Sequence, residues 1–143
     1  MGTWSIEAFG NDTAADWLAA LIEGKDPDAL ESALDRVVFR EIFTASKDVE
    51  ARDAELALAA AALLALWQGG SGDFGESEAA RHWAAERRRQ AGDPPAELLA
   101  KAEAALHAVL SRSSELAALW RETDDYRAWR LSVRRLRDQL GAG

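Results

Sequence analysis

Asp12 and Asp16 stand four residues apart, the spacing at which two carboxylates share one face of a helix and can share a cation. The same pair sits at a helix start, where capping and the helix dipole favour acids with no ligand at all. Glu103 precedes His107 by the same interval, so an acid and an imidazole can meet on one face, while His82 belongs to another segment. Neither histidine falls in an HExxH pattern and no serine occupies a nucleophile elbow. Cysteine is absent, which removes disulfides, thiolate metal sites and cysteine nucleophiles together. The run Gly69-Gly70-Ser71-Gly72-Asp73-Phe74-Gly75 invites a phosphate reading. A P-loop needs a preceding strand and a following Lys-Ser/Thr; here a helical pattern precedes, and Glu76 and Glu78 follow where they would repel phosphate. These residues read instead as a flexible connection.

The basic side chains concentrate in Arg87-Arg88-Arg89 and in Arg127, Arg130, Arg134, Arg135 and Arg137. Arg130, Arg134 and Arg137 share one helical face, which suits a carboxylate or phosphate and equally suits a solvated surface. No grouping assembles the parts of a catalytic reaction. The sequence leans away from an enzyme and calls for no cofactor and no metal.

These groups must be positioned by a short chain. At 143 residues and 15.5 kDa it is one domain's worth, 1–143, long enough to bury a core without staples. Alanine supplies 31 residues against one tyrosine and four phenylalanines, a bias that favours helix over strand. Net charge is −8 with a pI near 4.8, which argues against sequence-independent binding to nucleic acid or anionic membranes. The charge is uneven: residues 1–80 hold 5 basic and 16 acidic side chains, residues 81–143 hold 12 basic and 9 acidic. The first residues lack a basic stretch followed by an apolar one, as a secretory signal requires, and the longest apolar run, Leu56 to Trp67, is too short to span a bilayer. A cytoplasmic protein is expected.

The pattern of apolar residues predicts an all-α, compact single domain of about six to seven helices, with an extended arm over residues 1–10. Asn11-Asp12-Thr13 offers three N-cap candidates, with Thr13 and Asp16 spaced as a capping box, and Gly24 closes the first helix. Asp26-Pro27 opens a second, with Leu30, Leu34, Val37, Val38 and Ile42 as its buried stripe. The third, about Val49 to Gln68, is apolar all round after Glu55 and should form the centre of the fold. A surface helix, about Glu76 to Gln90, ends before Gly92-Asp93-Pro94-Pro95. Two further helices carry Leu98 to Leu110 and Leu116 to Trp120. The last places Tyr126, Trp129, Val133, Leu136 and Leu140 in a seam that packs on the domain or on a second copy. Trp17, Trp67, Trp120 and Trp129 lie on apolar stripes and read as core, whereas Trp4 and Trp83 are unassigned.

Met1-Gly2-Thr3-Trp4, followed by Phe9-Gly10-Asn11-Asp12-Thr13-Ala14-Ala15-Asp16-Trp17, resembles the opening of the bacterial domain-of-unknown-function family 4259. The Ala-rich third helix, the segment Ser114 to Glu122, and Trp129 with Val133 and Leu136 extend the likeness over nearly the whole chain. Gly2, Trp4, Phe9, Asn11, Asp12, Asp16 and Trp17 carry its specific part. Many members have Gly-x-Gly after the first Trp, where this chain has Ser5-Ile6-Glu7. The resemblance implies a small, mostly helical, single-domain protein and brings no activity with it.

The functional expectation is a non-enzymatic acidic module that binds another protein, a basic one in the masking case, through Glu31, Asp35, Glu41, Asp48, Glu50, Asp53 and Glu55. One alternative is a small-ligand or enzymatic pocket at the N-terminal arm using Trp4, Asn11, Asp12 and Asp16. Another is self-association through the Tyr126 to Leu140 seam. The expected state is a monomer or homodimer.

Overall fold

The alanine–leucine run becomes the axis of an all-α fold. The computed structural model describes residues 11–24, 28–69 and 78–142. Within them lie α1 (Asp12–Gly24), α2 (Ala29–Val38), α3 (Arg40–Thr44), α4 (Ala51–Trp67), α5 (Glu78–Ala91), α6 (Ala96–Val109), α7 (Glu115–Arg121) and α8 (Tyr126–Ala142). The N-terminal arm with Gly2, Trp4 and Phe9, the helix start at Asp26-Pro27 and the glycines at 70, 72 and 75 lie outside the described residues.

α4 is buried on every side because α1, α2, α5, α6, α7 and α8 all pack against it. Its alanines at 57, 59, 60, 61, 62 and 65 expose nothing, so neighbouring backbones can approach closely around it. α2 and α8 each pack on both α4 and α6. The α8 seam is spent inside the chain: Trp129, Val133, Leu136 and Leu140 are buried, and the Trp129 indole stacks on Trp120 of α7 at 6.0 Å. It is therefore not the surface for a second copy.

Two local expectations are corrected. Asn11, and not a Thr13–Asp16 box, caps α1: its Oδ1 accepts the Ala14 N–H at 2.8 Å. The second predicted helix breaks at Phe39 (φ −108°, ψ 35°), giving α2 and a separate turn, α3, so that Ile42 leaves the core. Val37-Val38-Phe39 are weak helix formers, and the Arg40 guanidinium takes the Val37 carbonyl at 2.9 Å, ending α2 from the side. α3 then stops at Ala45, in the left-handed region at φ 56°.

Gly69 (φ 94°) closes α4 where any side chain would be strained. The start of α4 is tied to the start of α7 instead of being capped locally. Val49 donates to the Ser113 carbonyl and accepts from the Glu115 N–H, both at 2.9 Å, an isolated parallel bridge. The Glu115 carboxylate accepts the Ala51 N–H at 2.9 Å, while Ser114 Oγ accepts the Ala117 N–H and caps α7. Among the described residues there is no strand, and no helix is long and apolar enough to cross a membrane.

Candidate functional site

The break at Phe39 that ends α2 also creates the most prominent exposed apolar group among the described residues. The single turn between α2 and the bridge at Val49 packs substantially on α2 alone among the described helices. Phe39 is 45% exposed, Phe43 54% and Ile42 80%. The Arg40 guanidinium also bonds the Lys47 carbonyl, which folds residues 45–48 back beside the turn. Glu41 within the turn, and Asp48 and Glu50 on the returning segment, are exposed acids, with Lys47 an exposed cation among them. Residues 28–55 as a whole carry eight acidic and four basic side chains. The result is an apolar centre flanked by three exposed acids, Glu41, Asp48 and Glu50, with Lys47 among them, a composition that suits protein contact.

The other acids expected to contribute are engaged within the chain. Asp53 is buried to 5% and held by the Arg36 guanidinium at 2.9 Å; the carboxylate keeps the Arg36 pKa above its already high value. Glu31 and Asp35 grip the Lys101 ammonium of α6 at 2.5 and 2.7 Å, and their hydrogen bonds raise the Lys101 pKa. That ammonium also stands 5.7 Å from the centre of the Phe39 ring. Glu55 is half-buried, and desolvation pushes its pKa up. The seven candidate acids thus divide into Glu41, Asp48 and Glu50 facing solvent, and Glu31, Asp35, Asp53 and Glu55 bound or partly covered.

Arg87-Arg88-Arg89 is likewise consumed. Arg87 lies 5.1 Å over the Trp67 ring, Arg88 donates to the Trp67 carbonyl and pairs with Asp93, and Arg89 pairs with Glu86, whose pKa it lowers. The arginines of α8 differ: Arg127, Arg130, Arg134 and Arg135 are exposed, Arg137 is half-buried, and none has an intrachain ion pair among the described residues.

A cleft of about 450 Å³ opens where α1, α2, α4, α5 and α6 converge, walled by Leu21, Leu30, Leu98 and the edge-to-face pair Trp67 and Trp83. The Trp67 indole N–H donates to the Gly92 carbonyl at 2.7 Å. Glu31 and Glu86 on its rim are already paired with cations, and among the described residues no serine, threonine, cysteine or lysine lines it. Asn11, Asp12 and Asp16 sit at the start of α1 and do not line it, and Trp17 packs half-buried on the core. Among the described residues no three of His, Asp and Glu converge as a metal site, and His82 and His107 are exposed on separate helices.

Sequence reading missed the α3 patch because it assigned Ile42 to a stripe. Adjacency gives no cue, since Val37 and Val38 are neighbours and both pack inward; the local cue is the run of weak helix formers Val37-Val38-Phe39.

A family model for a domain of unknown function (DUF4259) matches residues 2–132, and the chain belongs to that family. No curated protein and no solved structure matches it.

Proposed function

We propose that this member of the DUF4259 family is a protein-binding module that engages its partner through the α3 patch. Phe39, Ile42 and Phe43 on one exposed turn carry the reading, because they offer an apolar anchor that the described residues leave uncovered. Glu41, Asp48 and Glu50 select a partner whose matching hollow is rimmed by basic side chains. Rim charges set the rate of encounter, and buried anchors set the lifetime of the complex.

The test is kinetic. Once a partner is in hand, Glu41→Gln with Asp48→Gln slows association and flattens its salt dependence. Ile42→Ser with Phe43→Ser leaves the association rate nearly unchanged and speeds dissociation. Binding constants indifferent to both pairs of substitutions would sink the proposal.

A further inference from the structure

We infer that the outer face of α8 is a second contact surface, and that its occupant is the α3 patch of another copy of this chain. The buried seam of α8 turns Arg127, Arg130, Arg134 and Arg135 outward, with Arg137 at the margin and Leu131, 47% exposed, among them. Asp138 is the one acid on that face; Glu122, Asp124 and Asp125 precede the helix, where acids complement its dipole. From Arg130 to Arg137 the ridge runs roughly 10 Å at the helical rise. Within α8 there are five basic side chains and one acid, a surplus of four. The α3 side presents Glu41, Asp48 and Glu50 to solvent, with Lys47 among them.

The two surfaces share one design with opposite sign. One is an apolar turn with an acidic surround, Ile42 and Phe43 beside Glu41, Asp48 and Glu50. The other is an exposed leucine with a basic surround, Leu131 among the α8 arginines. Substantial packing joins α3 to α2 and α8 to α4, α6 and α7; none joins α3 to α8 within one chain. The complement is met between chains, head to tail, so each copy keeps one free surface of each kind.

This inference rests on the reading of α3 as a contact surface. Sedimentation equilibrium of the full chain, from micromolar to millimolar concentration at low and high salt, tests it. The expected result is a mass that climbs above 15.5 kDa with concentration at low salt and returns to it at high salt. Arg130→Gln with Arg134→Gln, and separately Glu41→Gln with Asp48→Gln, should each hold the chain at the monomer mass. An equimolar mixture of the two variants retains one good surface on each, and should form a dimer and nothing larger. All four positions are solvent-facing, and an unchanged circular dichroism melt establishes that the variants fold.

A wild type that stays at 15.5 kDa throughout overturns the inference. So does a mixture that fails to pair, since that marks a two-fold interface. Capture of a single-stranded oligonucleotide or a phosphatidylglycerol vesicle by a monomeric wild type, lost in the arginine variant, also overturns it in favour of a polyanion. If the chain is monomeric while a separate partner still depends on Ile42 and Phe43, this inference falls and the proposed function stands. Self-association that Ile42→Ser with Phe43→Ser leaves unchanged counts against both.

Discussion

Arg36 reaches from α2 to the first turn of α4 and holds Asp53, the buried carboxylate of the described core, at 2.9 Å. Removing one member of a buried pair strands the other; for fully buried pairs the loss is about 3–5 kcal/mol. Arg36 is 44% exposed, and solvent screens its side of the contact. Arg36→Ala should therefore cost about 1–3 kcal/mol in urea unfolding at neutral pH, less than for a fully buried pair. Adding Asp53→Asn should recover part of that loss, and a double-mutant cycle with no coupling would refute the pairing.

The link between α4 and α7 predicts a matched pair of effects. Ser114→Ala removes the α7 cap and should cost about 1 kcal/mol. Glu115→Ala frees the Ala51 N–H at the other helix and should cost roughly 0.5–1.5 kcal/mol. Hydrogen exchange discriminates the two, since Glu115→Ala should speed exchange at Ala51 on α4, a helix remote in sequence.

Lys101 makes stability depend on alkaline pH. Its folded pKa is raised above 10.5 by hydrogen bonds to Asp35 and Glu31, so the folded chain holds this proton more tightly than the unfolded one. The contribution is complete below the unfolded lysine value, about 10.4, and disappears as pH climbs through the higher folded value. Glu31 is half exposed, which limits the gain to about 0.2–1 kcal/mol. The difference in urea midpoint between wild type and Lys101→Met should be present at pH 7 and vanish under strongly alkaline conditions.

Trp129 carries the α8 seam. Buried to 2% and stacked on Trp120, it should cost about 3–5 kcal/mol on replacement by alanine, a large share of a typical domain's 5–15 kcal/mol. Chemical denaturation followed by circular dichroism checks this. Ile42→Ser should by contrast shift the midpoint by no more than about 0.5 kcal/mol, because that side chain is 80% exposed. A large loss there would mean Ile42 packs within the chain.

Periodicity made the helices legible because it reports burial directly: α4 reads as covered on all sides, and α8 as a single seam. What it could not read is where a helix restarts. The weak helix formers Val37-Val38-Phe39 are a local cue, but the Arg40 guanidinium's hold on the Val37 carbonyl is not announced by any spacing. With the helix broken there, Ile42 leaves the expected stripe for the surface. The acids were legible as a group but not as individuals, since whether Asp53 faces Arg36 or solvent depends on a helix seventeen residues away. The Arg87-Arg88-Arg89 run is the same case, a charge cluster in sequence that the fold spends on Trp67, Asp93 and Glu86.

The clasp between Val49 and Ser114 also orders events during synthesis. Glu115, which satisfies the first turn of α4, lies 64 residues downstream of Ala51. A nascent chain therefore emerges from the ribosome with its most apolar helix complete while the cap for that helix is still untranslated. α6, α7 and α8, which cover α4, follow it as well. Closure of the α4 start is thus a contact of high sequence separation, which costs loop-closure entropy before the packing it permits is gained.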